Sequence, residues 1–346
     1  MAPTKLLLTG ATGYIGGTVL TQLLKSQVPD IQTLSVSALI RNPEQAELYA
    51  SKGVTPILFI GLEDVEHLRR TASGYDIIIH AADSTSPAAV EALILGLADN
   101  QDTSKEKYFI HTSGTSSLGD RPITEKLIES REFSDKSDIY SYMKHREEIE
   151  FYAQRATDIK TVEAGEQAGV KTLVVKAPII YGRGTGFFNK KSFHIPVLIQ
   201  GAVAAGRAEY VAEGACAWDY VHVEDLAAFF ELLTTKVLRN EVVLSGRKGI
   251  YFASTLRHSW KELAEVIGEF GYKLGHLTSP EPQSITLSEA AEKYTGGNEQ
   301  LAEVGLASNS LTKSDLGQEI GWVSKKEEVD FRQSIVDDFD LLFGKA

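Results

Sequence analysis

The sequence predicts an α/β fold: a doubly wound parallel sheet joined to a smaller mixed C-terminal substrate region. Three observations predict it. Short, β-branched apolar runs alternate with helical stretches through the first half of the chain. Those runs are apolar on both faces, as strands covered by helices on each side must be. A glycine triplet, T-G-A-T-G-Y-I-G-G at 9–17, joins the first run to the first helix.

Taken in order, K-L-L-L-T (5–9) precedes a helix over 14–27, T-L-S-V-S-A-L-I-R (33–41) a helix over 44–52, and V-T-P-I-L-F-I (54–60) a helix over 63–72. Y-D-I-I-I-H (75–80) leads to a helix near 87–99, Y-F-I-H-T-S (108–113) to one near 137–156, and T-L-V-V-K-A (172–177) is the sixth strand. Strands separated by helices require right-handed crossovers, and hence a parallel sheet. After Pro178 the chain turns Gly- and aromatic-rich, and Y-V-H-V-E-D-L-A-A-F-F-E-L-L (220–233) returns to the core. The expected organisation is a core of residues 1–182 completed by about 216–239, with 183–215 and 240–346 forming the second region.

Composition narrows the function. The 346 residues carry a formal charge of −12, which disfavours nucleic acid, because such binding rests on Lys and Arg neutralising phosphates. No apolar run approaches the roughly 18 residues of a membrane span, and no signal-type segment opens the chain. Cys216 is the only cysteine, so no intramolecular disulfide forms, which suits a reducing compartment. The expectation is a cytoplasmic protein acting on a small molecule, with no membrane or nucleic-acid partner. The eight histidines are scattered, and no metal site is expected.

The glycines sit where a strand turns into a helix. There the first glycine permits the turn, the second lets backbone N–H groups approach a pyrophosphate, and the third lets the helix pack closely on the strand. A dinucleotide site follows. The second strand ends A-L-I-R-N-P, presenting Arg41 and Asn42 where NAD enzymes place an acid for the ribose 2′-hydroxyl. An acid would repel a 2′-phosphate, whereas Arg41 can pair with it. NADP(H) is therefore favoured over NAD(H).

In D-I-Y-S-Y-M-K-H-R, Tyr140 and Lys144 stand four apart, on one face of a helix. A phenol of pKa ~10 needs about 4 kcal/mol of differential stabilisation to ionise ~3 units lower, the scale of one ammonium ~4 Å away at an effective dielectric of ~20. Tyr140 is thus the candidate acid–base and Lys144 its tuner.

T-G-A-T-G-Y-I-G, H-A-A-D (80–83), Y-S-Y-M-K (140–144), A-P-I-I-Y-G (177–182) and D-Y-V-H-V-E-D (219–225) together resemble, in order and spacing, the extended short-chain dehydrogenase/reductase family and its NAD-dependent epimerase/dehydratase-like group. The resemblance covers nearly the whole chain and implies a Rossmann core. It implies that Gly10, Thr12, Gly13, Tyr14 and Ile15 surround the pyrophosphate. His80, Ala81 and Ala82 would lie by the adenosine ribose, and Pro178 and Ile180 near the nicotinamide. Tyr140 would exchange a proton with substrate while Lys144 holds the nicotinamide ribose. A homodimer through the long core helices is also compatible with the resemblance.

Two departures stand out. In H-T-S-G-T-S-S-L-G, Gly114 replaces the Ser or Thr whose hydroxyl binds the reacting oxygen in such proteins. Loss of such a donor costs ~10²–10³ in rate, so Thr115, or Ser113, is the expected substitute. In I-G-L-E-D (60–64), Gly61 replaces an adenine-facing aspartate, leaving Leu62 and backbone groups to hold the base. The reading that results is an NADPH-dependent reductase of a small carbonyl compound, an aldehyde, ketone or imine. The alternatives are an NAD-retaining nucleotide-sugar epimerase or dehydratase and a non-catalytic dinucleotide-sensing regulator.

Overall fold

The computed structural model describes residues 3–344. Its first half alternates as the apolar runs require: β1 (Lys5–Thr9), α1 (Tyr14–Lys25), β2 (Ser35–Ile40), α2 (Ala46–Ser51), β3 (Thr55–Leu58), α3 (Val65–Ala72), β4 (Ile77–His80), α4 (Pro87–Ala98) and β5 (Tyr108–Gly114). Helix starts follow local chemistry. Pro87 opens α4, where its missing N–H costs nothing, and Asp64 caps α3 by accepting from the His67 N–H at 3.1 Å.

The stretch expected as one helix near 137–156 is two helices, α5 (Ile139–Ile149) and α6 (Ala153–Ala168). The chain is extended at Glu150 (φ −151°, ψ 123°) and at Tyr152 (φ −142°, ψ 114°). No glycine or proline marks this break. Side chains hold it: Arg155 bonds the Glu150 carbonyl and, at 2.8 Å, the Glu147 carboxylate, while Arg121 meets the Glu150 carboxylate at 2.7 Å. Of the two helices, α6 packs on α4, and α5 packs beside α6 against Val174 of the sheet and the segment Ile250–Phe252.

Beyond α6 come β6 (Lys171–Ala177), β7 (Ile179–Tyr181), α7 (His194–Ala205), β8 (Ala217–His222), α8 (Val223–Leu238), β9 (Ile250–Phe252), β10 (Leu256–Ser259), α9 (Trp260–Lys273) and, last, α10 (Glu328–Phe343). The main sheet has seven strands in the order β9-β6-β5-β4-β1-β2-β3, all parallel. Its order reverses next to β1, which places the glycine turn at the switch point. Helix α8 packs along α1, so residues from 223 onward complete the core. The seventh strand, β9, also comes from beyond residue 239, inside the segment expected to belong wholly to the second region.

The second region has its own core, in which Trp218, Trp260, Ile199, Phe331 and Phe339 are buried. A small sheet, β10-β8-β7, links it to the main sheet. Among the described residues no helix is long and apolar enough to cross a membrane.

Candidate functional site

The first glycine of the turn, Gly10, has φ +75°, and a Cβ there would stand 2.4 Å from the Ala81 carbonyl oxygen. A Cβ on Gly16 would lie 2.3 Å from the Gly10 carbonyl oxygen. Only glycine lets β1, β4 and α1 meet this closely. Gly13 is the N-cap of α1, with no side chain bonded to the helix start and no acid in the first turn, so the helix presents uncapped N–H donors and the positive end of its dipole.

A groove of about 440 Å³ opens there, lined by Gly10, Thr12, Gly13, Arg41, Leu62, Ala81 and Ala82 among others. Uncapped donors at one end and the apolar Leu39, Phe59 and Leu62 at the other fit the pyrophosphate and adenine of a dinucleotide. Arg41 is exposed at this groove and forms no ion pair with another described residue. Asn42 is engaged locally, its side chain accepting from the Glu44 N–H at 2.9 Å.

Other expected cofactor residues are held by contacts within the protein. The Tyr14 hydroxyl donates to the carbonyls of Tyr181 (2.9 Å) and Gly182 (2.6 Å), tying α1 to the end of β7. Ile15 packs on the main core, as does Ile180, and Pro178 is buried. His80 is wholly buried, with its Nδ1 3.0 Å from Nδ1 of His111 on β5. Of the H-A-A-D stretch, only Ala81, Ala82 and Asp83 reach the groove.

The structure does not bring Tyr140 and Lys144 to this edge. Both bond the Glu163 carboxylate, at 2.9 and 3.0 Å, and the Arg247 guanidinium lies 4.7 Å from the Tyr140 ring centroid. Glu163 is nine residues beyond Gln154, which faces the carboxyl end of β5, and that is about 14 Å along α6. Arg247 directly precedes β9, at the amino ends of the strands. The pair therefore sits at the wrong end of the sheet, because α5 and α6 are separate and antiparallel. Burial, then the bond and charge of Glu163, raise the Tyr140 pKa, and Lys144 only partly opposes them. The phenol is not tuned downward.

Different residues gather at the carboxyl edge. A Cβ on Gly114 would lie 2.9 Å from Oε1 of Gln154, so the Gln154 amide fills the space left by the missing side chain. That amide accepts from the Ser116 hydroxyl (2.6 Å) and donates to the Ser84 hydroxyl (2.8 Å), while the Tyr152 hydroxyl donates to Ser116 (3.1 Å). Neither expected substitute for Gly114 faces the groove. Ser113 donates to Asp158 at 2.9 Å, and the Thr115 hydroxyl is buried without a partner.

Beneath this edge runs a buried polar line. Lys176 bonds Asp158 and, at 2.7 Å, Ser117; both ions are fully buried. His111 Nε2 lies 3.6 Å from Asp158. Burial lowers the Lys176 pKa, raises that of Asp158 and pushes His111 down to about 3, leaving the imidazole neutral. Sequence reasoning missed Tyr152, Gln154, Asp158 and Lys176. One signal was available: a lysine inside T-L-V-V-K-A, a strand buried on both faces, must have a charged partner.

The sequence matches the NAD dependent epimerase/dehydratase family over residues 6–244. The chain belongs to that family. Within its range of relatives, an oxidase of Acremonium sp, ucsJ, is 31% identical over 304 residues, covering 83% of this chain and 84% of that protein. A 4-hydroxy-2-methyl-3-oxo-4-farnesyl-3,4-dihydroquinoline-1-oxide ketoreductase of Stigmatella aurantiaca is 37% identical over 84 residues, 24% of this chain and 23% of that protein. Among solved structures, a dTDP-glucose 4,6-dehydratase of Streptomyces venezuelae with NAD bound superposes with a TM-score of 0.67 at 17% identity, over 98% of this chain and 97% of that one. For a family member with this groove, a nicotinamide dinucleotide is the expected cofactor.

Proposed function

We propose that this family member is an NADPH-dependent reductase of a small-molecule carbonyl compound. The observation that carries the reading is Arg41, a guanidinium with no ion-pair partner among the described residues, at the groove where an NAD-selective protein would place an acid. Preference for NADP(H) speaks for a co-substrate that enters and leaves, rather than one kept through an epimerase or dehydratase cycle. The oxidase and ketoreductase relatives support redox chemistry on a small molecule.

In this reading the uncapped start of α1 and Thr12 hold the pyrophosphate, Leu62 and Phe59 flank the adenine, and Arg41 pairs with the 2′-phosphate. The bound cofactor supplies hydride. The protein's own task is to orient the carbonyl oxygen and protonate it at the carboxyl edge.

Fluorescence titration with NADPH and NADH tests this. NADPH is expected to bind more tightly, and Arg41→Ala to erase ~10-fold or more of that preference, the scale of a lost charge-assisted hydrogen bond. Tighter NADH binding, or NAD that co-purifies and resists dialysis, overturns the reading in favour of the epimerase or dehydratase class. The placement of Tyr140 and Lys144 away from the edge favours a second reading, a non-catalytic dinucleotide-sensing regulator. It predicts NADPH binding with no turnover of any aldehyde or ketone.

A further inference from the structure

We propose that Tyr152, rather than Tyr140, delivers the proton, with Ser116 and Gln154 positioning it. The assignment rests on the reductase reading and deepens it.

Tyr152 is the N-cap residue of α6, the helix whose start faces the carboxyl ends of β4 and β5. Ligands of such sheets bind beyond those ends. Ser84, one link of the network, follows directly on Asp83 of the cofactor groove, so the Tyr152–Ser116–Gln154–Ser84 chain runs from the phenol to the groove wall.

Gly114 is what makes room for this chain. With a serine or threonine there, the Gln154 amide would have to move, since even a Cβ would press on it. With glycine, Gln154 fixes Ser116 at 2.6 Å and Ser116 receives the Tyr152 O–H. The hydroxyl missing at 114 is thus supplied two residues later, and it is held from both sides. No lysine accompanies Tyr152. The cation nearby is Arg155, its guanidinium carbon 5.7 Å from the ring centroid, immobilised by Glu147 and the carbonyls of Ser117 and Glu150.

The chemistry balances with these groups. The carbonyl carbon gains a hydride and its two electrons, the π pair moves to oxygen, and that oxygen takes the proton as the Tyr152 hydroxyl turns from Ser116 to the substrate and its O–H bond breaks. Solvent then reprotonates the phenolate. Burial raises the Tyr152 pKa, while Ser116 and Arg155 only partly offset it, so the phenol is protonated at neutral pH. An alkoxide is about as strong a base as hydroxide, so it still takes this proton readily. The reverse reaction needs the phenolate, which this environment disfavours. The site is built for reduction, and alcohol oxidation is expected only at alkaline pH.

The test is a pH titration of tyrosinate absorbance at 295 nm, with and without NADP⁺, for wild type, Tyr152→Phe and Tyr140→Phe. The protein has 13 tyrosines, and the difference between the two titrations isolates those facing the cofactor. One tyrosine is expected to ionise at lower pH when NADP⁺ is bound; the change should persist in Tyr140→Phe and vanish in Tyr152→Phe. A cofactor-linked ionisation that survives Tyr152→Phe, or its absence in wild type, overturns the proposal. Turnover of phenanthrenequinone and a panel of aldehydes with NADPH adds the second readout: Tyr152→Phe is expected to lower kcat by ~10²–10⁴, Tyr140→Phe by less than about twofold. Once Tyr152 is ionised the Ser116 hydroxyl can turn from Gln154 to donate to the phenolate, so Ser116→Ala should move the alkaline limb of the pH profile up by about one unit, roughly the worth of one hydrogen bond to the anion. Equal turnover in wild type and Tyr152→Phe overturns the proposal and leaves the reductase reading intact. No turnover in wild type, together with an NADP⁺-linked ionisation of Tyr152, overturns the reductase reading and keeps Tyr152 beside the cofactor.

Discussion

Replacing Lys176 by methionine should show how strongly the carboxyl edge of the sheet depends on the ions beneath it. Lys176 and Asp158 are both fully buried and bonded to each other. Asp158 also accepts from Ser113, and Lys176 donates to Ser117, so the pair anchors both ends of the β5 loop that carries Gly114 and Ser116. Methionine matches the lysine stem but removes the charge, leaving Asp158 a carboxylate with no counter-ion in a dry interior. Breaking a buried pair this way costs ~3–5 kcal/mol. At ~1.4 °C per kcal/mol for a chain of this size, Tm falls by about 4–7 °C.

The loss depends on pH. Burial already raises the Asp158 pKa, and Lys176 is the largest opposing influence; without it the pKa rises further. A carboxyl whose folded pKa lies above its unfolded value binds a proton on folding, so Lys176→Met loses stability as pH rises from ~4 through that folded pKa. Urea denaturation at pH 5 and pH 7.5 reads this directly, with the larger deficit expected at pH 7.5. Lys176→Met/Asp158→Asn, which keeps an acceptor for Ser113 and removes the stranded charge, should regain more than half of the lost stability. A single-variant cost below ~1 kcal/mol, or a double variant as unstable as the sum of the two singles, would refute the argument.

Two further outcomes are expected. Asp338, largely buried with an unpartnered Oδ2, has its pKa pushed up to about 7 by burial and by neighbouring Asp337; the wild type therefore loses stability as pH rises from ~4 through 7. Asp338→Asn removes that slope, so its unfolding free energy from urea titration should exceed that of wild type at pH 8 by an amount capped at ~4 kcal/mol, and an unchanged difference between pH 5 and 8 would count against it. Gly10→Ala places a methyl 2.4 Å from the Ala81 carbonyl oxygen at φ +75°, and should abolish NADPH binding or soluble expression, whereas wild-type binding in a folded variant would contradict the packing described for the turn.

The sheet was legible because its information is local. K-L-L-L-T, Y-D-I-I-I-H and T-L-V-V-K-A each declare a strand buried on both faces, and the glycine spacing declares the turn between β1 and α1. The break between α5 and α6 was not legible, since no glycine or proline falls at 150–152 and the turn is held by Arg155 and Arg121, reaching partners that only the fold brings near. That one missed break moved the tyrosine. Read as a single helix, the segment carries Tyr140 to the sheet edge; as a hairpin, it carries Tyr152 there. The Tyr-x-x-x-Lys spacing correctly placed two side chains on one helix face, but spacing has no information about which end of the sheet that face meets. β9 was missed for a related reason: I-Y-F (250–252) is three residues long, and its role comes entirely from pairing with β6.

The order in which the sheet is assembled has a consequence during synthesis. Strand β6 is finished by Ala177, yet its outer neighbour, β9, is not made until Phe252, and the helix that covers α1 begins only at Val223. For those 75 residues of elongation, 252 minus 177, the emerging protein carries an open strand edge with its row of unpaired N–H and C=O groups, the template on which chains join to one another. A ribosome that stalls, or a protease that cuts, between Ala177 and Ile250 would therefore release a fragment prone to aggregate, while the same cut a few residues after Phe252 would leave β6 paired and only the three-residue β9 as the edge on that side.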